Sequence, residues 1–177
     1  EQIDSLSKIA VEFSNFAKLP NTELVNIDIL EKVREVVTFF NSSMNTNILI
    51  ANKTGRDRLF VLGDKDQILR SFNNLIKNAI EASRGRKKVM IKISLSLVEN
   101  ELLKIAIGDN GLGIPLDVIP KIFQPNFTTK SSGTGLGLAF VKKTVESMQG
   151  EITFQTAENV GTTFTIVLPM TAPANNY

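Results

Sequence analysis

The chain contains no cysteine and no histidine. Without cysteine, disulfide frameworks, thiolate metal centres and cysteine nucleophiles are excluded. Without histidine, the commonest metal ligand and the commonest neutral-pH base are missing. Ser-His-Asp hydrolysis and zinc hydrolysis go with them. A charge excess of either sign is also lacking: lysine and arginine number 20 against 18 aspartates and glutamates, a net charge of +2. That balance is no case for a nucleic-acid binder. No apolar run approaches the length of a membrane span. What remains is chemistry run by carboxylates, amides, backbone N–H groups and a borrowed metal.

The 177 residues are 42% hydrophobic and 21% charged, which suits one globular domain with a small appendage and argues against wholesale disorder. The sequence starts at Glu1 inside a helical pattern, so the expectation is a piece of a longer protein. Ile3, Leu6, Ile9, Phe13 and Phe16 form one apolar helix stripe that Pro20 ends. Such a helix packs either on its own core or on a partner chain.

Asp28 with Glu31, and Asp64 with Gln67, have capping-box spacing and open two helices. Ile29, Val33, Val36, Val37 and Phe40 stripe the first; Ile68, Phe72, Leu75, Ile76, Ala79 and Ile80 stripe the second. Between them, residues 48–51 and 59–62 read as short strands, with Lys53 to Arg58 turning between. The basic cluster from Arg84 to Lys88 reads as a solvated turn. Val89, Ile91, Ile93, Leu95 and Leu97 alternate with polar residues as a half-buried strand, and residues 103–107 return it. Residues 108–137 are rich in Gly, Pro, Thr and Ser, with a short helical stretch over 117–122. A loop region this long is usually functional or mobile. Leu138, Val141, Val145 and Met148 mark a further helix stopped at Gly150. A final hairpin over 151–156 and 162–168 turns at Asn159 to Gly161, and a frayed tail, 171–177, follows.

Three places carry chemistry. Asn74 and Asn78, four apart, share a face of the second helix, opposite its apolar stripe. Asparagine competes for backbone hydrogen bonds inside helices, so a pair in register is either a solvated polar face or a site whose amide oxygens suit a hard cation such as Mg²⁺. Asp109-Asn110-Gly111-Leu112-Gly113-Ile114 sets a carboxylate at a strand end before two glycines. It is either a plain turn or an acceptor for an exocyclic amine with close backbone approach. Gly133-Thr134-Gly135-Leu136-Gly137-Leu138 opens a helix, where N–H groups and the helix dipole favour phosphate. Its spacing matches neither the P-loop nor the dinucleotide fingerprint. Lys130, just upstream, is in reach of a phosphate.

In this order the three segments resemble the catalytic ATP-binding domain of sensor histidine kinases, within the wider family of gyrase, chaperone and mismatch-repair ATPases. Asn74 to Ala79 resembles the N box and Asp109 to Ile114 the first glycine box. Ile122-Phe123-Gln124-Pro125-Asn126-Phe127-Thr128-Thr129-Lys130 resembles the F box, and Gly133 to Leu138 the second glycine box. Gly161-Thr162-Thr163-Phe164 with Leu168-Pro169 resembles the closing strand. The likeness runs from about Asp28 to Pro169. The Phe-Thr-Thr-Lys segment and short lid resemble the nitrogen-regulation class, and Val11 to Pro20 resembles the end of that class's second dimerisation helix.

The resemblance implies a two-layer α/β sandwich, a mixed sheet packed against about three helices. It divides the chain into residues 1–20, the end of the dimerisation helix, and 21–170, the catalytic domain. It implies ATP and Mg²⁺ as cofactors, with Asn78 on the metal, Asn74 assisting, and Lys77 and Lys130 facing phosphate oxygens. Asn74 and Lys130 would be catalytic. Asp109 would accept from the adenine amine, supported by Thr162. Gly111, Gly113 and Ile114 would shape the adenine pocket. Phe127, Thr128 and Thr129, with Gly133, Thr134, Gly135, Leu136, Gly137 and Leu138, would form the lid side of the nucleotide site, and Phe123 and Phe127 would pack the lid. The hydrolytic relatives carry glutamate where this chain has Asn74, which favours transfer over hydrolysis. The implied activity is donation of the γ-phosphoryl group to a histidine upstream of Glu1, for relay to a response-regulator receiver domain. No nucleic-acid partner is implied. The parent would be a homodimer, this piece a monomer or weak dimer, and the location cytoplasmic, with a membrane anchor on the parent left open. The alternatives are a slow ATPase or serine kinase on the same fold, and a nucleotide-sensing scaffold without transfer.

Overall fold

The computed structural model describes residues 23–43, 46–99, 101–130 and 133–172. The helix expected before Pro20, and the last residues of the expected tail, lie outside them. In chain order the elements are β1 (Val25–Asp28), α1 (Ile29–Ser43), β2 (Ile48–Asn52), β3 (Phe60–Gly63), α2 (Lys65–Ala82), β4 (Ile91–Val98), β5 (Leu102–Asp109), a 3₁₀ turn (Ile119–Lys121), α3 (Gly137–Ser147), β6 (Glu151–Ala157) and β7 (Gly161–Pro169).

Strict alternation in β4 and β5 becomes a sheet with one dry face. Ile91, Ile93, Leu95, Leu103, Ile105 and Ile107 are all buried and, two apart in each strand, point the same way. Phe164, Ile166 and Leu168 of β7 and Ile152 of β6 continue that face. The five strands run β2-β4-β5-β7-β6. Only the β2–β4 pairing is parallel, so the sheet is mixed, as expected. The apolar stripes of α1, α2 and α3 join these strands in one core, making the two-layer sandwich. Each fully buried aliphatic side chain there contributes roughly 1.5–3 kcal/mol of transfer free energy.

Two local expectations are corrected. The strands at 48–51 and 59–62 do not pair across their turn. β2 lies beside β4, whereas β3 pairs antiparallel with β1, a strand that the sequence pattern did not reveal. Asp28 explains the junction. Its Oδ1 accepts from the Leu30 amide that starts α1 and from the Leu59 amide leading into β3, both at 3.1 Å. Asp28 is therefore a helix cap, as its spacing suggested. Its expected partner Glu31 instead pairs with Lys32 at 3.0 Å.

The second correction concerns the stop after α3. The left-handed residue there is Gln149, at φ 59°, rather than Gly150. Gly150 is required for another reason: a Cβ on it would lie 2.5 Å from Leu168 Cδ2 and from the Val167 carbonyl oxygen. At the other end, Asp64 caps α2 as expected, accepting from the Asp66 and Gln67 amides at 3.0 Å each. This cap fixes the phase of the helix that carries both asparagines.

Candidate functional site

The carboxylate at the end of β5 is held by two backbone amides. Asp109 Oδ1 accepts from the Gly111 amide at 2.8 Å and from the Thr162 amide of β7 at 3.3 Å. Burial pushes its carboxyl above the usual aspartate range, against the downward pull of those two amides. Oδ2 receives no hydrogen bond from the described residues, so it is an acceptor available to a ligand. Thr162 is buried, and its hydroxyl lies 3.0 Å from that of Thr156. Thr156 in turn accepts from the Ile114 amide at 2.9 Å. Asp109, Thr162 and Ile114, expected together, are thus brought together. Thr156 is the link that sequence reading missed.

The first glycine-rich loop is strapped at both ends. Gly113 adopts φ 75°, and a Cβ there would run into the Ala157 carbonyl. The Leu112 carbonyl accepts from the Asn159 amide at 2.7 Å, and the Leu112 amide donates to Ala82 at 3.1 Å. Arg86 closes the arrangement. Its Nη2 donates to the Gly111 carbonyl at 2.8 Å and to the Asn159 carbonyl at 2.6 Å. The reading of residues 84–88 as a solvated turn therefore fails at Arg86, because two carbonyls from distant loops converge on it. Asn110 ties the loop to the entry of β4 through the Lys88 carbonyl at 2.8 Å and the Met90 amide at 2.9 Å.

Along α2, Asn74 and Asn78 are half-buried, at the flank of the apolar stripe rather than opposite it. Asn74 Nδ2 donates weakly, at 3.4 Å, to the Gly137 carbonyl in the first turn of α3. Asn78 Oδ1 accepts from Lys130 Nζ at 2.7 Å. The same ammonium reaches Glu81 Oε2 at 2.5 Å. Glu81 was not anticipated, although it sits one turn beyond Asn78 on the same face. Lys77 is adjacent to Asn78 in sequence, and so about 100° round the helix. It is exposed and does not join this cluster, nor does the exposed Thr129.

The second glycine-rich segment folds onto the F-box-like segment. Gly135 has φ 70°, and a Cβ on it would lie 2.7 Å from the Phe127 amide nitrogen. The Gly133 amide donates to the Lys130 carbonyl at 3.2 Å, and Thr128 Oγ1 accepts from the Lys130 amide at 3.0 Å. Leu136 is buried, while Thr134, Gly137 and Leu138 are half-buried. The cap residue Leu136 supplies no side-chain hydrogen bond to α3, and the first-turn amides of a helix have no intrahelical acceptors, a setting that suits an anion. Phe123 packs edge-on against Phe154 and Phe164, with centroids 5.9 and 6.4 Å away. It anchors this segment to the sheet, whereas the Phe127 backbone lies against Gly135.

The donor set fits a nucleotide with a divalent cation. The free carboxylate oxygen of Asp109 suits an exocyclic amine. The Asn78 amide oxygen already faces a cation, the Lys130 ammonium. Among the described residues no three acidic side chains gather to hold a metal. A cation here would therefore need phosphates and water to complete its shell, the usual habit of Mg²⁺.

Fold and site together define a two-layer α/β ATPase domain. Residues 63–172 match the histidine kinase-, DNA gyrase B- and HSP90-like ATPases, and the chain belongs to that family. It is of the histidine-kinase catalytic type. A putative NtrY-like sensor histidine kinase of Rickettsia bellii is 33% identical over 89% of this chain and 26% of that protein. The catalytic domain of histidine kinase ThkA, nucleotide-free, is 32% identical with a TM-score of 0.71, covering 83% of this chain and 95% of that one. ThkA in complex with the response regulator TrrA is 28% identical with a TM-score of 0.75, covering 96% of this chain and 48% of that one. The chain spans less than a third of the length of several curated relatives that it matches.

Proposed function

We propose that residues 21–170 are the ATP-binding catalytic domain of a two-component sensor histidine kinase and that residues 1–20 end its second dimerisation helix. The domain holds ATP with Mg²⁺ and donates the γ-phosphoryl group to a histidine upstream of Glu1. A receiver-domain aspartate on a response regulator then takes it. The observation that carries this reading is Asp109, a half-buried carboxylate with one oxygen fixed by two backbone amides and the other free for the adenine amine. Guanine presents a carbonyl at that position and would meet the carboxylate with like polarity.

Asn78 would hold Mg²⁺, with Asn74 nearby, and Lys130 would face the phosphates; Lys77 would contribute from the exposed flank. Gly111, Gly113, Ile114 and Thr162 would enclose the base. Phe127 to Lys130 and Gly133 to Leu138 would cover the triphosphate, with the α3 amides directed at it. The metal would neutralise developing phosphate charge. Transfer of this kind depends chiefly on positioning and charge stabilisation. Asn74 offers no proton-accepting group at neutral pH, which supports transfer to a positioned acceptor over hydrolysis. No described helix is long and apolar enough to cross a membrane, and the domain is proposed to work in the cytoplasm.

The test is calorimetric titration of this chain with Mg-ATP, beside Mg-GTP and an Asp109→Asn variant. Saturable binding that prefers adenine and weakens about tenfold or more in the variant is expected. No binding at millimolar Mg-ATP would sink the reading.

A further inference from the structure

Glu81 is electrostatically misplaced by local criteria. It sits in the last turn of α2, where the helix dipole disfavours an anion. Yet its carboxylate is mostly covered, with its side chain 22% exposed, and it holds the Lys130 ammonium. The lysine comes from a loop 49 positions away, so the pair is a tertiary construction rather than a helix-surface pairing. Asn74, Asn78 and Glu81 form one stripe along α2, and Lys130 bridges its last two members.

The bridge contains a conflict. The Asn78 oxygen accepts from the ammonium at 2.7 Å. A divalent cation on that oxygen and an ammonium at hydrogen-bond distance from it would repel one another strongly. Lys130 must therefore leave Asn78 when the metal-bound nucleotide is held, and among the described residues Glu81 is the other group that holds its ammonium at the site. We propose that Glu81 is the positioning residue for Lys130. It parks the ammonium beside the Asn78 amide when no nucleotide is bound and keeps it within reach of the terminal phosphate when one is. The inference rests on the phosphate role of Lys130 proposed above.

The test compares Mg-ADP with the Mg complex of a non-hydrolysable β,γ-imido ATP analogue, titrated into this chain, and measures melting without ligand. The affinity ratio of the two nucleotides isolates contacts to the terminal phosphate. Glu81→Ala is expected to lose about tenfold in analogue affinity while ADP affinity stays within about twofold. Its melting temperature should hold or rise, since alanine suits the last turn of a helix better than an anion does. Glu81→Gln, which keeps an acceptor oxygen at the same reach, should recover part of the ratio. Lys130→Met should lose the same ratio, and the double variant should be no worse than Lys130→Met alone. Equal weakening of both nucleotides, an unchanged ratio, or additive losses in the double variant would overturn the proposal and leave the nucleotide site standing. Failure of the unsubstituted chain to bind either nucleotide would overturn both.

Discussion

The Thr162 amide donates to Asp109 Oδ1 at 3.3 Å across 53 positions of chain, stitching the start of β7 to the end of β5 beneath the candidate base site. The carboxylate so held is raised in pKa by burial, and that has a consequence for stability. A group whose folded pKa lies above its unfolded value contributes stability that is full below the unfolded pKa. The contribution is lost as pH rises through the folded one. Ionised Asp109 is therefore a cost at neutral pH. Asp109→Asn keeps an acceptor for both amides and removes the buried charge. It should melt at or above the parent at pH 7, with the difference vanishing below the ordinary aspartate range. Thermal melting across pH measures it, and a variant that melts lower at pH 7 would contradict the argument.

The same shift predicts how binding responds to acid. The adenine amine prefers the charged carboxylate. As pH falls through the raised Asp109 value, a protonated fraction accumulates and adenine preference should decline while the fold persists. In Asp109→Asn the preference should be weak and flat with pH. The ATP-to-GTP affinity ratio, followed with pH, tests this, because the triphosphate's own titration is common to both nucleotides.

Arg86 predicts a loop effect. Its Nη2 holds two carbonyls, and its Nε is buried without a partner among the described residues. Arg86→Ala should cost about 1–3 kcal/mol in denaturant unfolding. It should also speed hydrogen exchange around Gly111 to Gly113 and Asn159 to Gly161. Arg86→Lys should rescue in part, since an ammonium can donate to two carbonyls but lacks the planar guanidinium that holds its donors in fixed directions. Exchange confined to the global unfolding rate would refute the clamp.

Gln149 predicts a gain. It is exposed and holds φ 59° after α3, a conformation that costs a residue with a Cβ roughly 1–2 kcal/mol. Gln149→Gly should recover about 1 kcal/mol of that, the glycine's extra chain entropy taking the rest. Gly150→Ala should destabilise, because its Cβ would press on Leu168 and Val167. Chemical denaturation of the two variants should therefore move in opposite directions.

The helices and central strands were legible because their signals are local. Buried Ile91, Ile93 and Leu95 announce a period of two, and Ile68, Phe72, Leu75, Ile76 and Ala79 a helical face. The cap at Asp64 could be read the same way. The order of the N-box-like, glycine-rich and Phe-Thr-Thr-Lys segments was legible too, and it carried the family. β1 was not, because its Val25-Asn26-Ile27-Asp28 run is short and its pairing with β3 is remote.

Along the chain, then, the residue pattern by itself determined the elements other than β1 and the candidate residues Asn78, Asp109, Gly113 and Lys130, and the two-layer class came mostly with the family resemblance that those segments carry. The tertiary structure alone decided which of these residues meet. It brought Lys130 to Asn78 and Glu81, set Arg86 between Gly111 and Asn159, and left Lys77 outside the cluster. It also moved β2 and β3 into different sheets. The physical reason is one of range. Periodicity and capping act over a turn or a strand, and each residue reports them directly. A hydrogen bond across 25 to 73 positions exists only once the shared core has closed the intervening loops, and no local preference encodes that closure.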